Sequence, residues 1–129
     1  MVVDTSALLA VLLDEPDSDI FLDAMLDAQR VRISAATAVE LGIVAISRAG
    51  AEAEMKVDLL LVRIDAEIIS VDAAQAVFAR STFRTFGKGR HPAQLNFGDC
   101  FSYSLSKTLN EPLLFKGQDF SKTDVVSAL

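Results

Sequence analysis

A single cysteine, Cys100, leaves this chain no internal disulfide framework and fits a reducing compartment. With only one histidine, His91, there is no cysteine and histidine cluster of the kind that holds zinc. The amino terminus lacks a basic stretch followed by a long apolar run, and Asp4 interrupts it at once. Neither secretion nor membrane insertion is expected, and the cytoplasm is the expected location. Basic residues are outnumbered, 12 Lys and Arg against 18 Asp and Glu, giving a net charge of −6. Such a chain has no overall field to draw in nucleic acid, although a local patch can still do so. Internal repeats and low-complexity tracts are also absent.

What is present is apolar. At 129 residues and 51% hydrophobic, the chain reads as one domain, residues 1–129, able to bury a substantial core. A mean hydropathy of +0.36 is high for a lone soluble domain, so part of the apolar surface is expected to be covered by another chain.

Short apolar runs alternate with helical patterns. Val2 and Val3 read as a strand, followed by a helix over Ala7 to Leu13 capped by Thr5 or Ser6. After the polar break at Pro16, Ile20, Phe21, Leu22, Met25 and Leu26 recur at helical spacing. Val31 to Ser34 is a second strand, Ser34 to Ala49 a helix and Ala51 to Ile64 another, with Gly50 as the hinge of a helical hairpin. Ile68 to Val71 reads as the third strand; Asp72 with Gln75 then gives a capping-box pattern for a helix to about Phe86. Gly87 to Pro92 is a loop, Asn96 caps a helix to about Leu109, and Pro112 to Phe115 is a fourth strand, with a further one at Val125–Val126. This alternation predicts an α/β fold, a three-layer α/β/α sandwich around a short, mainly parallel sheet.

Four acids stand out against that frame. Asp4 follows the first strand, where ligands of open α/β sheets bind. Glu40 sits in a helix apolar on nearly every side, which predicts a buried helix and a carboxylate that is paired with Arg48, protonated or metal-bound. Asp99 is the third residue of a helix capped by Asn96 and follows Gly98; its plain role is the cap. Asp119 follows the fourth strand and a Lys-Gly turn. All four can meet at one edge of the sheet. Two carboxylates about 4 Å apart repel by roughly 4 kcal/mol at an effective dielectric of about 20, so such a cluster needs protons or cations. Hard oxygen donors favour Mg²⁺ or Mn²⁺, which activate water at a phosphodiester.

Positive charge is local. Between Ala73 and Gly98 the chain carries Arg80, Arg84, Lys88, Arg90 and His91 and no acid, so the remainder holds eight bases against all eighteen acids. Phosphate contact is the functional reading of that stretch and a solvated face the plain one. Phe83, Phe86 and Phe97 read as core before base-stacking.

The sequence Val3-Asp4-Thr5-Ser6-Ala7-Leu8, the helix start Ser34 to Leu41, Leu95-Asn96-Phe97-Gly98-Asp99-Cys100 and Leu113 to Phe120 together resemble the PIN-domain family, specifically VapC-type toxins. The resemblance implies that Asp4, Glu40, Asp99 and Asp119 form the acidic metal site of a Mg²⁺- or Mn²⁺-dependent endoribonuclease acting on RNA such as tRNA. It further implies a homodimer silenced by a VapB-type antitoxin, whose carboxyl-terminal segment occupies the active-site groove. Ser6 and Asn96 would orient neighbouring carboxylates. Phe115 and Gly117 depart from the family pattern, which makes the corner at Asp119 sparser. Two rival readings are an Asp-nucleophile phosphatase, although Ser6 stands where its second Asp belongs, and a non-catalytic binding module holding a structural cation.

Overall fold

The computed structural model describes residues 1–129. In chain order it runs β1 (Val2–Val3), α1 (Thr5–Leu12), α2 (Ser18–Asp27), β2 (Val31–Ser34), α3 (Ala35–Ala49), α4 (Ala53–Arg63), β3 (Ala66–Ile69), α5 (Ala73–Phe86), α6 (Phe97–Leu109) and β4 (Leu113–Leu114), and a 3₁₀ turn follows at Phe120–Lys122. The four strands form one sheet in the order β3-β2-β1-β4, and every pairing is parallel. The expected three-layer α/β/α architecture is present. No helix is long and apolar enough to cross a membrane.

The pleat explains how so few strand residues divide the core. Successive side chains point to opposite faces, so Val3 and Leu114 join Val31 and Ile33 under α1–α4, whereas Val2 and Leu113 face the cluster built with α5 and α6. All six are at most 2% exposed. On the second face α6 approaches its neighbours through small polar residues. Ser102 shares a buried hydrogen bond with Thr37 of α3 (3.1 Å), and Ser104 another with Thr82 of α5 (3.1 Å). Ser106 donates to the Glu111 carbonyl at 2.7 Å. Each buried hydroxyl is satisfied, as its desolvation requires.

The order 3-2-1-4 reverses direction between β1 and β4, and that reversal opens a crevice at the carboxyl ends of those two strands. The opposite end of the sheet is closed by charge. There Arg32 pairs with Glu67 (3.0 Å) and with Glu111, and Glu111 also meets the Met1 ammonium at 3.2 Å.

Four sequence expectations are corrected. Helix α1 starts at Thr5 with Asp4 as its cap, in place of Thr5 or Ser6, because Asp4 already accepts the Ser6 amide at 2.9 Å. Strand β3 lies two residues earlier than expected, since pairing with β2 aligns Val31 with Ala66 and Ser34 with Ile69. Val125–Val126 is not a strand but flanks a lone parallel bridge between Leu113 and Ser127. Helix α3 is not buried all round: Leu41 and Ala45 line its inner face while Val39 and Ile43 are 63% and 61% exposed.

The Thr37–Ser102 bond carries a prediction. Thr37→Val strands a buried Ser102 hydroxyl and should cost about 1–3 kcal/mol in urea unfolding. The double variant Thr37→Val/Ser102→Ala should cost clearly less than the sum of the two singles; additivity would mean the bond contributes nothing specific.

Candidate active site

Asp4 ends β1 in the crevice and is 3% exposed. Its backbone amide donates to the Leu114 carbonyl of β4 (2.9 Å), which fixes it at the reversal of strand order. Its Oδ2 accepts from the Ser6 amide (2.9 Å) and from Ser6 Oγ (2.7 Å), while Oδ1 accepts no hydrogen bond. Ser6 Oγ in turn accepts the Lys116 amide at 3.0 Å, so the loop after β4 is tied to the start of α1 through this hydroxyl. The Lys116 ammonium reaches Asp17 and Glu15 in the α1–α2 connection and leaves the crevice to the acids.

Glu40 comes from the second turn of α3 and is half-buried. Its Oε2 accepts from Thr5 Oγ1, and Oε1 has no partner. No pair with Arg48 forms; Arg48 is exposed at the far end of the helix. The Glu40 carboxylate lies against the first turn of α6, where a side-chain carbon added to Gly98 would overlap it. Glycine at position 98 thus leaves the space in which the Glu40 carboxylate sits; its backbone conformation does not call for glycine.

Asp99 completes a reciprocal capping box. Its Oδ2 accepts the Asn96 amide (2.7 Å) and its own amide donates to Asn96 Oδ1 (2.9 Å), while Oδ1 accepts nothing. Burial raises the Asp99 carboxyl to about 7, and the charges of Asp4, Asp119 and Glu40 add to that rise against the lowering by the Asn96 amide. Asp119 is exposed and makes no capping bond, so it contributes charge at the rim.

Three carboxylates thus share one design: one oxygen held by a neutral donor, the other free. None of the six ion pairs involves Asp4, Glu40, Asp99 or Asp119. As the side chains stand, no three of them close around one point. The donor set, oxygen only, unpaired and anionic, fits a hard divalent cation. Cys100 does not join it, for burial and then the charge of Asp99 push its thiol up to about 11, and it donates to the Asn96 carbonyl at 3.1 Å.

Of the four acids expected to share one metal site, Asp4, Glu40 and Asp99 come to the crevice and Asp119 lies at its rim, near enough for its charge to raise Asp99; Ser6 donates to Asp4 and the Asn96 amide to Asp99. Sequence reasoning missed Thr5, read only as a cap; its position beside Asp4 at the strand end was the available signal. The basic residues form a separate feature on α5 and the loop beyond. Arg80, Arg84, Lys88 and Arg90 are exposed and carry no ion pair. His91 is folded into its own loop, Nδ1 accepting the Ala93 amide at 3.1 Å with the ring edge-on to Phe86. Of the three phenylalanines expected in the core, Phe86 packs against it, Phe83 is 37% exposed and Phe97 is 78% exposed.

Residues 1–126 match the PIN domain family. The chain is 48% identical over 128 residues to VapC ribonuclease Mb0640 of Mycobacterium bovis, spanning 98% of this chain and 97% of that protein. It is 48% identical over 127 residues to Ribonuclease VapC of Mycolicibacterium smegmatis, spanning 98% of each. Among solved structures it superposes on VapC20 of Mycobacterium tuberculosis, a Sarcin-Ricin loop cleaving toxin, with a TM-score of 0.81 at 16% identity over 97% of this chain and 95% of that one. VapBC2 of Rickettsia felis, bound to a promoter DNA fragment, matches with a TM-score of 0.72 at 18% identity over 98% and 94%.

Asp99 sets a pH dependence. A carboxyl raised from 3.8 unfolded to about 7 folded holds its proton more tightly in the native state, so its stabilisation is present below about pH 4 and drains away as pH rises through 7. In chelator, Asp99→Asn should gain stability relative to wild type between pH 4 and 7, since asparagine keeps the acceptor without the charge. Melting curves across that range check it; parallel curves for the two proteins would mean that Asp99 is not crowded.

Proposed function

The chain belongs to the PIN-domain family, and from that premise we propose that it is a divalent-metal-dependent endoribonuclease, the toxin of a toxin–antitoxin pair, working in the cytoplasm. The observation that carries the reading is the set of unpaired carboxylates from β1, α3 and α6 in the crevice, with Asp119 at its rim. Asp4, Glu40 and Asp99 would hold Mg²⁺ or Mn²⁺, with Asp119 acting through water. When bound, the ion supplies an activated water and stabilises the leaving oxygen of a phosphodiester.

The chain's own residues do the positioning. Thr5 holds one oxygen of Glu40, Ser6 one oxygen of Asp4 and the Asn96 amide one oxygen of Asp99. The free oxygens are therefore presented from fixed carboxylates, which limits the reorganisation that binding and chemistry demand. Arg80, Arg84, Lys88 and Arg90 supply the cationic surface for the RNA backbone. A VapB-type antitoxin is the proposed partner, in keeping with the VapBC2 complex among the neighbours. A homodimer is proposed as well, on the exposed Val39, Ile43, Leu59 and Val62 of the α3–α4 hairpin, which are 61–79% exposed.

Purified protein incubated with total RNA and Mn²⁺ should cleave it, and EDTA should abolish cleavage. Asp4→Asn keeps a good helix cap and should lose at least a hundredfold in cleavage while remaining folded by circular dichroism. Cleavage that survives EDTA removes the metal from the proposal; a fully active Asp4→Asn protein overturns the assignment. Turnover of a small phosphate ester without RNA cleavage would favour the phosphatase, and RNA binding without turnover the non-catalytic module.

Gly98→Ala separates positioning from folding. The methyl group displaces only the flexible end of Glu40, so the melting temperature should move little while cleavage falls roughly a hundredfold. A fully active Gly98→Ala protein would mean that Glu40 need not stand where it does.

A further inference from the structure

Apart from the acidic crevice, a groove of about 770 Å³ lies between α5 and α6. Its walls are Phe83 from α5 and Phe97 and Phe101 from α6, and Arg80, Arg84 and Arg90 stand among them. The aromatic lining is unusually open. Phe97 is 78% exposed although it belongs to a helix with a buried face only a turn away. It meets Phe101 in an edge-to-face contact at 5.0 Å between ring centres, an arrangement that covers at most one face of Phe97 and leaves the other open to a ligand.

The charge of the groove is equally unspent. No carboxylate pairs with any of the three guanidiniums: Arg84 donates only to Ser81 Oγ at 3.2 Å, and Arg90 lies over the Phe83 ring at 5.9 Å. In a chain of net charge −6 that leaves them without a partner, they fit a polyanion from outside. The groove shares helix α6 with the acidic crevice: Phe97, Cys100 and Phe101 line it, and Asp99 lies in the same first turn.

We propose that this groove is a nucleotide subsite, in which an unstacked base of single-stranded RNA lies against Phe97 and Phe101 while Arg80, Arg84 and Arg90 take the flanking phosphates. The inference rests on the ribonuclease reading and extends it: the substrate is single-stranded at the cut, because a base inside a duplex cannot enter the groove. Aromatic faces accept every base, so the subsite fixes the position of the strand more than its sequence. A second copy of this chain is the occupant that the test must separate from RNA.

The test uses the full chain in EDTA, so that binding is read without cleavage, and 12-nucleotide single-stranded RNAs carrying 2-aminopurine at successive positions. Wild type should quench the fluorophore at one position and bind by anisotropy. Phe97→Ala should lose the quenching and weaken binding roughly ten- to one-hundredfold, and Phe97→Trp should restore both. An RNA made abasic at that position should bind wild type and Phe97→Ala alike. Arg80→Gln/Arg84→Gln should flatten the salt dependence of binding without abolishing the quenching.

Equal binding by all Phe97 variants with no quenching at any position overturns the subsite while leaving metal-dependent cleavage, tested separately, intact. Loss of cleavage together with loss of all RNA binding by wild type would instead remove the underlying reading. A dimer that Phe97→Ala converts to monomer in sedimentation at unchanged RNA affinity assigns the groove to a second copy and overturns the proposal. Phe97 is mostly exposed, so its variants should melt as wild type does.

Discussion

Like charges held together without a counter-ion are the constraint on which the rest of this structure depends. At the amino ends of the strands Glu67 and Glu111 share Arg32, and Glu111 also takes the Met1 ammonium. At the carboxyl ends Asp4, Glu40 and Asp99 meet only hydroxyls and amides, and each keeps one oxygen free. Their mutual repulsion is visible in Asp99, whose carboxyl is raised to about 7 by burial first and by the other three acids next. The fold thus pairs Glu67 and Glu111 with cations at one end of its sheet and leaves the acids at the other without one, the charge pattern by which functional sites are recognised.

The architecture makes that arrangement cheap to hold. Reversal of strand order between β1 and β4 leaves a crevice that no helix fills, and Asp4 is pinned there by its amide bond to Leu114. Glu40 reaches the crevice because α6 comes close to α3, and two features permit the approach: the missing side chain at Gly98 and the Thr37–Ser102 bond one turn further along. The neutral donors do two jobs at once. Ser6 donates to Asp4, the cap of α1, and also fastens the loop after β4, while the Asn96–Asp99 box begins α6 and orients a carboxylate. Helix capping and site geometry are here the same hydrogen bonds.

Much of this was legible in the chain. The acids after β1 and β4 follow from the rule that ligands bind at the carboxyl ends of parallel strands, and the Asn96–Asp99 box is a local pattern with a local cause. Other features were not legible because non-local packing decides them. Helix α3 reads as buried on every side, yet Val39 and Ile43 face outward. Apolar composition states how much surface a helix wants to bury, not whether a neighbour is there to cover it. Phe97 and Phe86 look alike in sequence, and one is open while the other packs with Tyr103 and His91. Strand β3 slipped by two residues from its apolar run because its backbone pairs with β2 in a register that its own residues do not specify.

The sequence by itself determined the α/β alternation, the six helices with the caps Asp72 and Asn96, and which acids lie at strand ends or helix starts, since these depend on periodicity and on neighbours three or four positions away. Only the tertiary structure decided that Thr5 holds Glu40, that Gly98 leaves room for the same carboxylate, and that a groove lined by aromatic rings and free arginines opens between α5 and α6. Those features join residues 35 or more positions apart or lie between two packed helices, and contact at that range is set by how elements dock, not by what any one of them prefers.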